Sequence, residues 1–158
     1  GLNPAIRAVT IRAIGEGYRV LGIRRGWSGL SNIRREHGAD NSRYVQELTA
    51  ETVRRVGRTG GTFLHTSRTL PSRIPAQLVP AHLVDTYGQE CNDLTAEVLK
   101  NLEFLNIDTL IAIGGDDTLG YAVRLHKEGV SVIGIPKTMD NDVPGTDYCI
   151  GFSTCVNR

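Results

Sequence analysis

The chain has 158 residues, 40% of them hydrophobic and 22% charged, the balance of a single globular domain with a core to bury, which excludes overall disorder. Its 18 basic and 17 acidic residues nearly cancel, so no broad electrostatic footprint points to nucleic acid or a membrane surface, and any anion must be held locally. Cys91, Cys149 and Cys155 cannot all pair and show no CxxC spacing, which favours reduced thiols over zinc or redox chemistry.

No apolar run approaches the roughly 18 residues of a membrane-crossing helix and no secretory leader pattern opens the chain, so a cytoplasmic protein is expected. The start at Gly1-Leu-Asn-Pro4, without Met, suggests that the natural protein's first residues are absent. Ile6, Val9, Ala13 and Ile14 recur at helical spacing between Pro4 and Glu16, with Gly17 at the stop position. Arg19–Ile23 reads as a short strand, Gly26-Trp-Ser-Gly29 as a turn and residues 31–44 as a mobile polar loop. Val45–Gly57 shows a mixed helical pattern that leads into the glycine pair of Gly60–Leu64, and Pro71, Pro75 and Pro80 make a long regular element in 65–80 improbable. Leu94, Val98, Leu102 and Leu105 share one helical face within Asp93–Leu105, and Asp108–Ile113 is a continuous apolar strand. Thr118–Glu128 returns to helical spacing before a second buried strand, Val130–Ile135. Strands alternating with helices predict an α/β fold, a mostly parallel sheet wound on both faces.

Ligands of such sheets bind beyond the carboxyl ends of strands, which singles out two loops, Gly114-Gly-Asp-Asp-Thr118 and Pro136-Lys-Thr-Met-Asp-Asn-Asp142. Gly114 and Gly115 would let a phosphate approach backbone amides at a helix N-terminus. A carboxylate facing those oxygens, Asp116, makes sense chiefly with a bridging magnesium ion. The plainer reading is a tight turn with Asp116 or Asp117 as N-cap. In the second loop a carboxylate could take a proton from an attacking hydroxyl and Lys137 could neutralise phosphate charge, the plainer reading being an Asx-rich turn.

These loops, with Gly145-Thr-Asp-Tyr148, Ile150-Gly-Phe152, Gly60–Leu64, Ser67-Arg68, and Gly1-Leu-Asn3 with Ala5-Ile-Arg7, resemble 6-phosphofructokinases in order and spacing over nearly the whole chain. The resemblance implies a Rossmann-like three-layer domain that binds the phosphoryl donor, here without its first strand and glycine-rich loop and without the following sugar-phosphate domain. On that account the chain is a fragment or truncated copy, inactive alone. The likeness makes Asp140 the general base for the 1-hydroxyl of fructose 6-phosphate and Asp116 the Mg2+ ligand. It puts Thr138, Met139 and Asp142 at the sugar. The donor falls to Gly114, Gly115, Asp117, Thr118, Arg68 and Lys137, with Lys137 and Asp117 counted beside Asp140 in the catalytic set and Asp140 also at the sugar, in a cytoplasmic, glycolytic homo-oligomer, a dimer or tetramer.

ATP-using members typically carry glycine where Asp117 stands, and many carry glycine in place of Lys137, so the pair resembles the diphosphate-dependent branch. A carboxylate where the nucleotide's α-phosphate would lie disfavours ATP, and Lys137 supplies a cation for a shorter donor. Other members with that lysine use ATP, so Asp117 carries most of the inference. Regulated bacterial members have a second arginine four residues after the match to Arg7, where Ile11 stands, so control of that type is not expected. The alternatives are the same transfer from ATP and an inactive regulatory or interaction subunit on this fold. Trp27 reads as a packing anchor rather than a base-stacking group, His65 as exposed, and His37, His82 and His126 as lacking metal-ligand spacing.

Overall fold

The computed structural model describes residues 1–157. Helix α1 (Leu2–Gly15) leads into β1 (Val20–Ile23), α2 (Gly26–Ser31), β2 (Val45–Leu48) and α3 (Ala50–Val53). Two-residue strands β3 (Ile74–Pro75) and β4 (Cys91–Asn92) precede α4 (Thr95–Phe104), β5 (Thr109–Gly114), α5 (Asp116–Lys127), β6 (Ser131–Thr138), β7 (Ile150–Gly151) and α6 (Phe152–Val156). Strands β5, β6 and β7 run parallel in that order, whereas β1–β2 and β3–β4 are separate antiparallel pairs. The α/β expectation is met.

Strand β5 has helices on both sides. Its Leu110 joins Leu30 of α2, Val98 and Leu102 of α4, and Tyr121 and Leu125 of α5 in one core. Ile113 packs instead against Ile6 of α1, Leu48 of β2 and Val53 of α3 in another. This double burial is what a continuous apolar run predicts for a parallel strand. Strand β6 departs from the same expectation: Ile133 is 52% exposed, because no described element covers that side of it.

Three local readings also need correction. Val45–Leu48 is a strand, since its backbone pairs with β1 from Val20↔Leu48 to Ile23↔Val45, and tertiary pairing outweighs a weak helical pattern. Helix α3 starts afterwards because Thr49 caps it: Thr49 Oγ1 accepts from Thr52 N at 3.2 Å, and Thr52 Oγ1 accepts from Thr49 N at 2.8 Å. The Gly26–Gly29 stretch is the start of α2 rather than a turn, and Trp27 anchors it edge-on to Tyr121 at 5.0 Å. Residues 32–44 form no helix or strand, yet Arg35 ties them to α4 through Glu97 and Asn101, and Ile33 is fully buried. The proline-rich stretch behaves as expected, with three-residue 3₁₀ turns at Pro71–Arg73 and Ala76–Leu78.

Candidate functional site

Strands β5 and β6 stay in register to Gly114↔Pro136, so both polar loops leave the same end of the sheet side by side. A Cβ on Gly115 would lie 3.8 Å from the Lys137 carbonyl oxygen and 3.9 Å from Thr138 Cβ, which puts the glycine turn directly against the end of β6. A Cβ on Gly114 would lie 2.6 Å from both Cβ and Oγ1 of Thr118, so only glycine lets the chain turn this tightly into α5.

Helix α5 begins two residues earlier than its sequence pattern suggests. Gly115 is the N-cap, without a side-chain cap, and Asp116 and Asp117 occupy the first turn. Neither aspartate is therefore the capping residue that the plainer reading required. Both are exposed at the positive end of a 12-residue helix, where carboxylates are favourable and an anion or its bridging cation can be received.

The second loop starts later than expected, because β6 continues through Pro136, Lys137 and Thr138 and pairs with β7 at Lys137↔Ile150 and Thr138↔Gly151. Lys137 is thus half-buried on a strand rather than free on a loop. Gly151, at φ +109, has the Lys137 side chain beside it, with Cε 4.0 Å from where a Cβ would stand. Buried Thr138 accepts the Asp140 N–H on Oγ1 at 3.1 Å. Asn141, at φ +53, accepts from Cys149 N at 2.8 Å and donates to the Asp147 carbonyl at 3.1 Å. The loop is held by Thr138 and Asn141, not by its aspartates. Asp140, Asp142 and Met139 are exposed, and neither carboxylate bonds to another described residue.

Arg68 lies apart from this cluster in sequence, exposed and without an ion pair among the described residues; no measured contact joins it to either loop. Its segment is anchored upstream by Leu64, whose carbonyl accepts the Arg25 N–H at 2.7 Å. Sequence reading counts Asn3 within the resembling motif Gly1-Leu-Asn3 but gives it no role; it is 1% exposed and bonds across to Thr59 and Phe63. The signal was a polar residue among the apolar positions that open α1. Arg12 faces water and pairs with Glu16, while Arg7 borders a cavity of about 530 Å³ with Arg54, Arg55 and Arg58. Tyr87 packs against the cluster of Ile74, Val79, Leu83 and Leu94. His65 is exposed, as read.

Fold and site together define a doubly wound α/β domain with a glycine turn and a carboxylate loop at neighbouring strand ends. The phosphofructokinase family profile matches residues 1–158, and the chain belongs to that family. It is 40% identical over 156 residues to a pyrophosphate–fructose 6-phosphate 1-phosphotransferase of Dictyoglomus thermophilum, covering 99% of this chain and 37% of that protein. Against the enzyme of the same name from Amycolatopsis methanolica the identity is 38%, over 99% of this chain and 38% of the relative. An ATP-dependent 6-phosphofructokinase of Lysinibacillus sphaericus is 35% identical, over 99% and 41%. The chain thus spans about two fifths of the curated relatives it matches. The crystal structure of Pichia pastoris phosphofructokinase in the T-state superposes with a TM-score of 0.74 at 23% identity, over 99% of this chain and 15% of that one. That likeness bears on the fold alone.

Proposed function

We propose that the full-length protein containing this chain transfers a phosphoryl group from diphosphate to the 1-hydroxyl of fructose 6-phosphate, with residues 1–158 as its donor-binding part. One observation carries the reading: Thr138 and Asn141 satisfy the loop's own hydrogen bonds, leaving Asp140 and Asp142 unpaired beside a glycine turn at a helix N-terminus. A turn built only for structure would use its aspartates locally.

In this scheme Asp140 takes the proton from the sugar 1-hydroxyl. The freed oxygen bonds to the terminal phosphorus of diphosphate, the bridging P–O bond breaks, and phosphate leaves with the electron pair. Backbone amides of the Gly114–Gly115 turn and the end of α5 receive the donor, Lys137 and Arg68 balance its charge, and Thr138, Met139 and Asp142 orient the sugar. Asp116 fits a magnesium ligand. No group of three or more metal-binding side chains is gathered among the described residues, and magnesium characteristically takes one or two carboxylates with waters and substrate phosphates completing its shell. When bound, the ion spreads the donor's negative charge.

Diphosphate is favoured over ATP by exposed Asp117 beside the turn and Lys137 at the end of β6, and by the name of the 40%-identical relative. The ATP-dependent relative at 35% keeps the nucleotide as the competing donor. A coupled assay of the full-length protein with each donor decides between them. Turnover with diphosphate at least about tenfold above that with ATP is expected, a difference of about 1.4 kcal/mol in transition-state binding. Equal or greater turnover with ATP overturns the assignment.

A further inference from the structure

We propose that Asn3 is a positioning residue for the phosphoryl donor, fixing the Gly60–Arg68 segment relative to the Lys137–Thr138 end of β6. The inference rests on the functional reading above and concerns a residue outside both loops.

Asn3 sits in the first turn of α1, among positions that face the core. Its Nδ2 donates to the Thr59 carbonyl at 3.1 Å and to Thr59 Oγ1 at 2.9 Å, and its Oδ1 accepts the Phe63 N–H at 2.9 Å. Both amide protons and one lone pair are spent across the loop that contains Gly60 and Gly61. Gly61 adopts φ +70, and a glycine pair gives a loop wide backbone freedom unless something holds its ends. An amide buried at a core position is costly unless its bonds are made, so Asn3 selects the one arrangement of 59–63 that makes all three.

The same helix turn reaches the other side of the site. A Cβ on Gly1 would fall 2.5 Å from Ile150 Cγ2 and 3.2 Å from Gly151 N, so the start of α1 is wedged against β7. Ile150 and Gly151 are the residues paired with Lys137 and Thr138. One turn of α1 therefore holds the segment leading to Arg68 at one end and touches the strand flanking Lys137 at the other. Phe63 and Leu64 dock the loop through apolar contacts and Thr59 bonds back to the Val56 carbonyl, yet none of these ties Thr59 to α1, which Asn3 does.

The test uses Asn3→Ala, Asn3→Asp and Thr59→Val in the full-length protein, with steady-state kinetics for donor and sugar phosphate and hydrogen exchange along the chain. Misplacing a donor contact should appear in the donor's KM, so Asn3→Ala should raise it about tenfold while the sugar KM stays within about twofold. Exchange should quicken at 59–65 and not in β5 or α5. Asn3→Asp keeps the bond from Phe63 N–H and should fall between. Equal changes in both KM values, or protection lost throughout, make Asn3 a stability residue and overturn the proposal. Should Asn3→Ala not fold, Thr59→Val removes the 2.9 Å bond from Asn3 together with the Thr59 Oγ1 bond to the Val56 carbonyl, keeps the Asn3 bonds to the Thr59 carbonyl and Phe63 N–H, and should still raise the donor KM about threefold; an unchanged value overturns it. If the parent transfers no phosphoryl group, the functional reading fails separately. Calorimetric titration with diphosphate then decides: a Kd about tenfold weaker in Asn3→Ala supports the proposal and an equal Kd overturns it.

Discussion

Asp140 and Thr138 are two residues apart and divide the work of their loop: Thr138 Oγ1 takes the Asp140 backbone N–H, which orients the residue while its carboxylate stays unbonded and exposed. A residue held through its backbone N–H leaves its loop in place when its side chain is shortened. Asp140→Ser should therefore fold normally, with kcat reduced at least about a hundredfold and the sugar KM within several-fold, since general-base catalysis contributes about 10² to 10⁴. Steady-state kinetics with circular dichroism as the folding check measures this, and a folded variant that keeps more than about a tenth of kcat moves the base elsewhere. The carboxylates themselves were legible in the sequence, because four acidic residues crowd two loops behind apolar runs. What frees them was not: a threonine and an asparagine inside the same loop carry its hydrogen bonds, and which polar side chain closes a turn depends on backbone angles such as φ +53 at Asn141.

Helix α4 shows the corresponding limit for whole elements. Its apolar face was readable from Leu94, Val98, Leu102 and Leu105, but Glu97 and Asn101 are also buried on it, at 6% and 0% exposure. Glu97 pairs with Arg35 at 2.6 Å and Lys100 at 2.9 Å, and Asn101 accepts from Arg35 while donating to the Leu30 carbonyl at 2.8 Å. A polar stretch that composition marks as mobile is thereby tied to a helix 62 residues further on. Long-range pairing of this kind leaves no periodic trace, as with β2, whose strand exists because β1 is beside it. Burial pushes the Glu97 carboxyl up, but its bonds and charge interactions with Lys100 and Arg35 together outweigh that and hold it below the ordinary 4.5. A depressed folded value gives stability that is present above the unfolded pKa and lost as pH falls through the folded one. The parent should thus lose stability on acidification from about pH 4.5 downward more steeply than Glu97→Gln. Near neutral pH, Glu97→Gln should be less stable, because one partner of a buried pair has been removed. Urea unfolding across pH measures both, and parallel pH profiles would remove Glu97 from the account.

Over the whole molecule the formal charge is only +1, so the chain offers no long-range attraction to a donor carrying several negative charges. Locally the balance is worse: Asp116 and Asp117 in the first turn of α5 and Asp140 and Asp142 in the second loop have Lys137, at the end of β6, as the one cation within segments 114–118 and 136–142 among the described residues, and Arg68 comes from a separate segment. Parallel register explains the crowding, since β5 and β6 point the same way and β6 runs only two residues beyond the pair Gly114↔Pro136, so both loops leave one end of the sheet. A polyphosphate entering such a group of carboxylates meets repulsion that the amides at the end of α5 offset only in part, a helix terminus being equivalent to roughly half a charge. If Asp116 holds a divalent cation as proposed, the added positive charge would offset that repulsion. Activity of the full-length protein should therefore vanish in excess chelator and return with added magnesium. Asp116→Asn should raise the magnesium concentration giving half-maximal rate by about tenfold or more, since it removes the carboxylate charge that would hold the ion. Asp117→Asn should leave that requirement within about twofold, because its assigned place is beside the donor and away from the metal. Titrating magnesium against rate for the parent and both variants measures this, and full activity in chelator, or an unchanged requirement in Asp116→Asn, takes the metal away from Asp116.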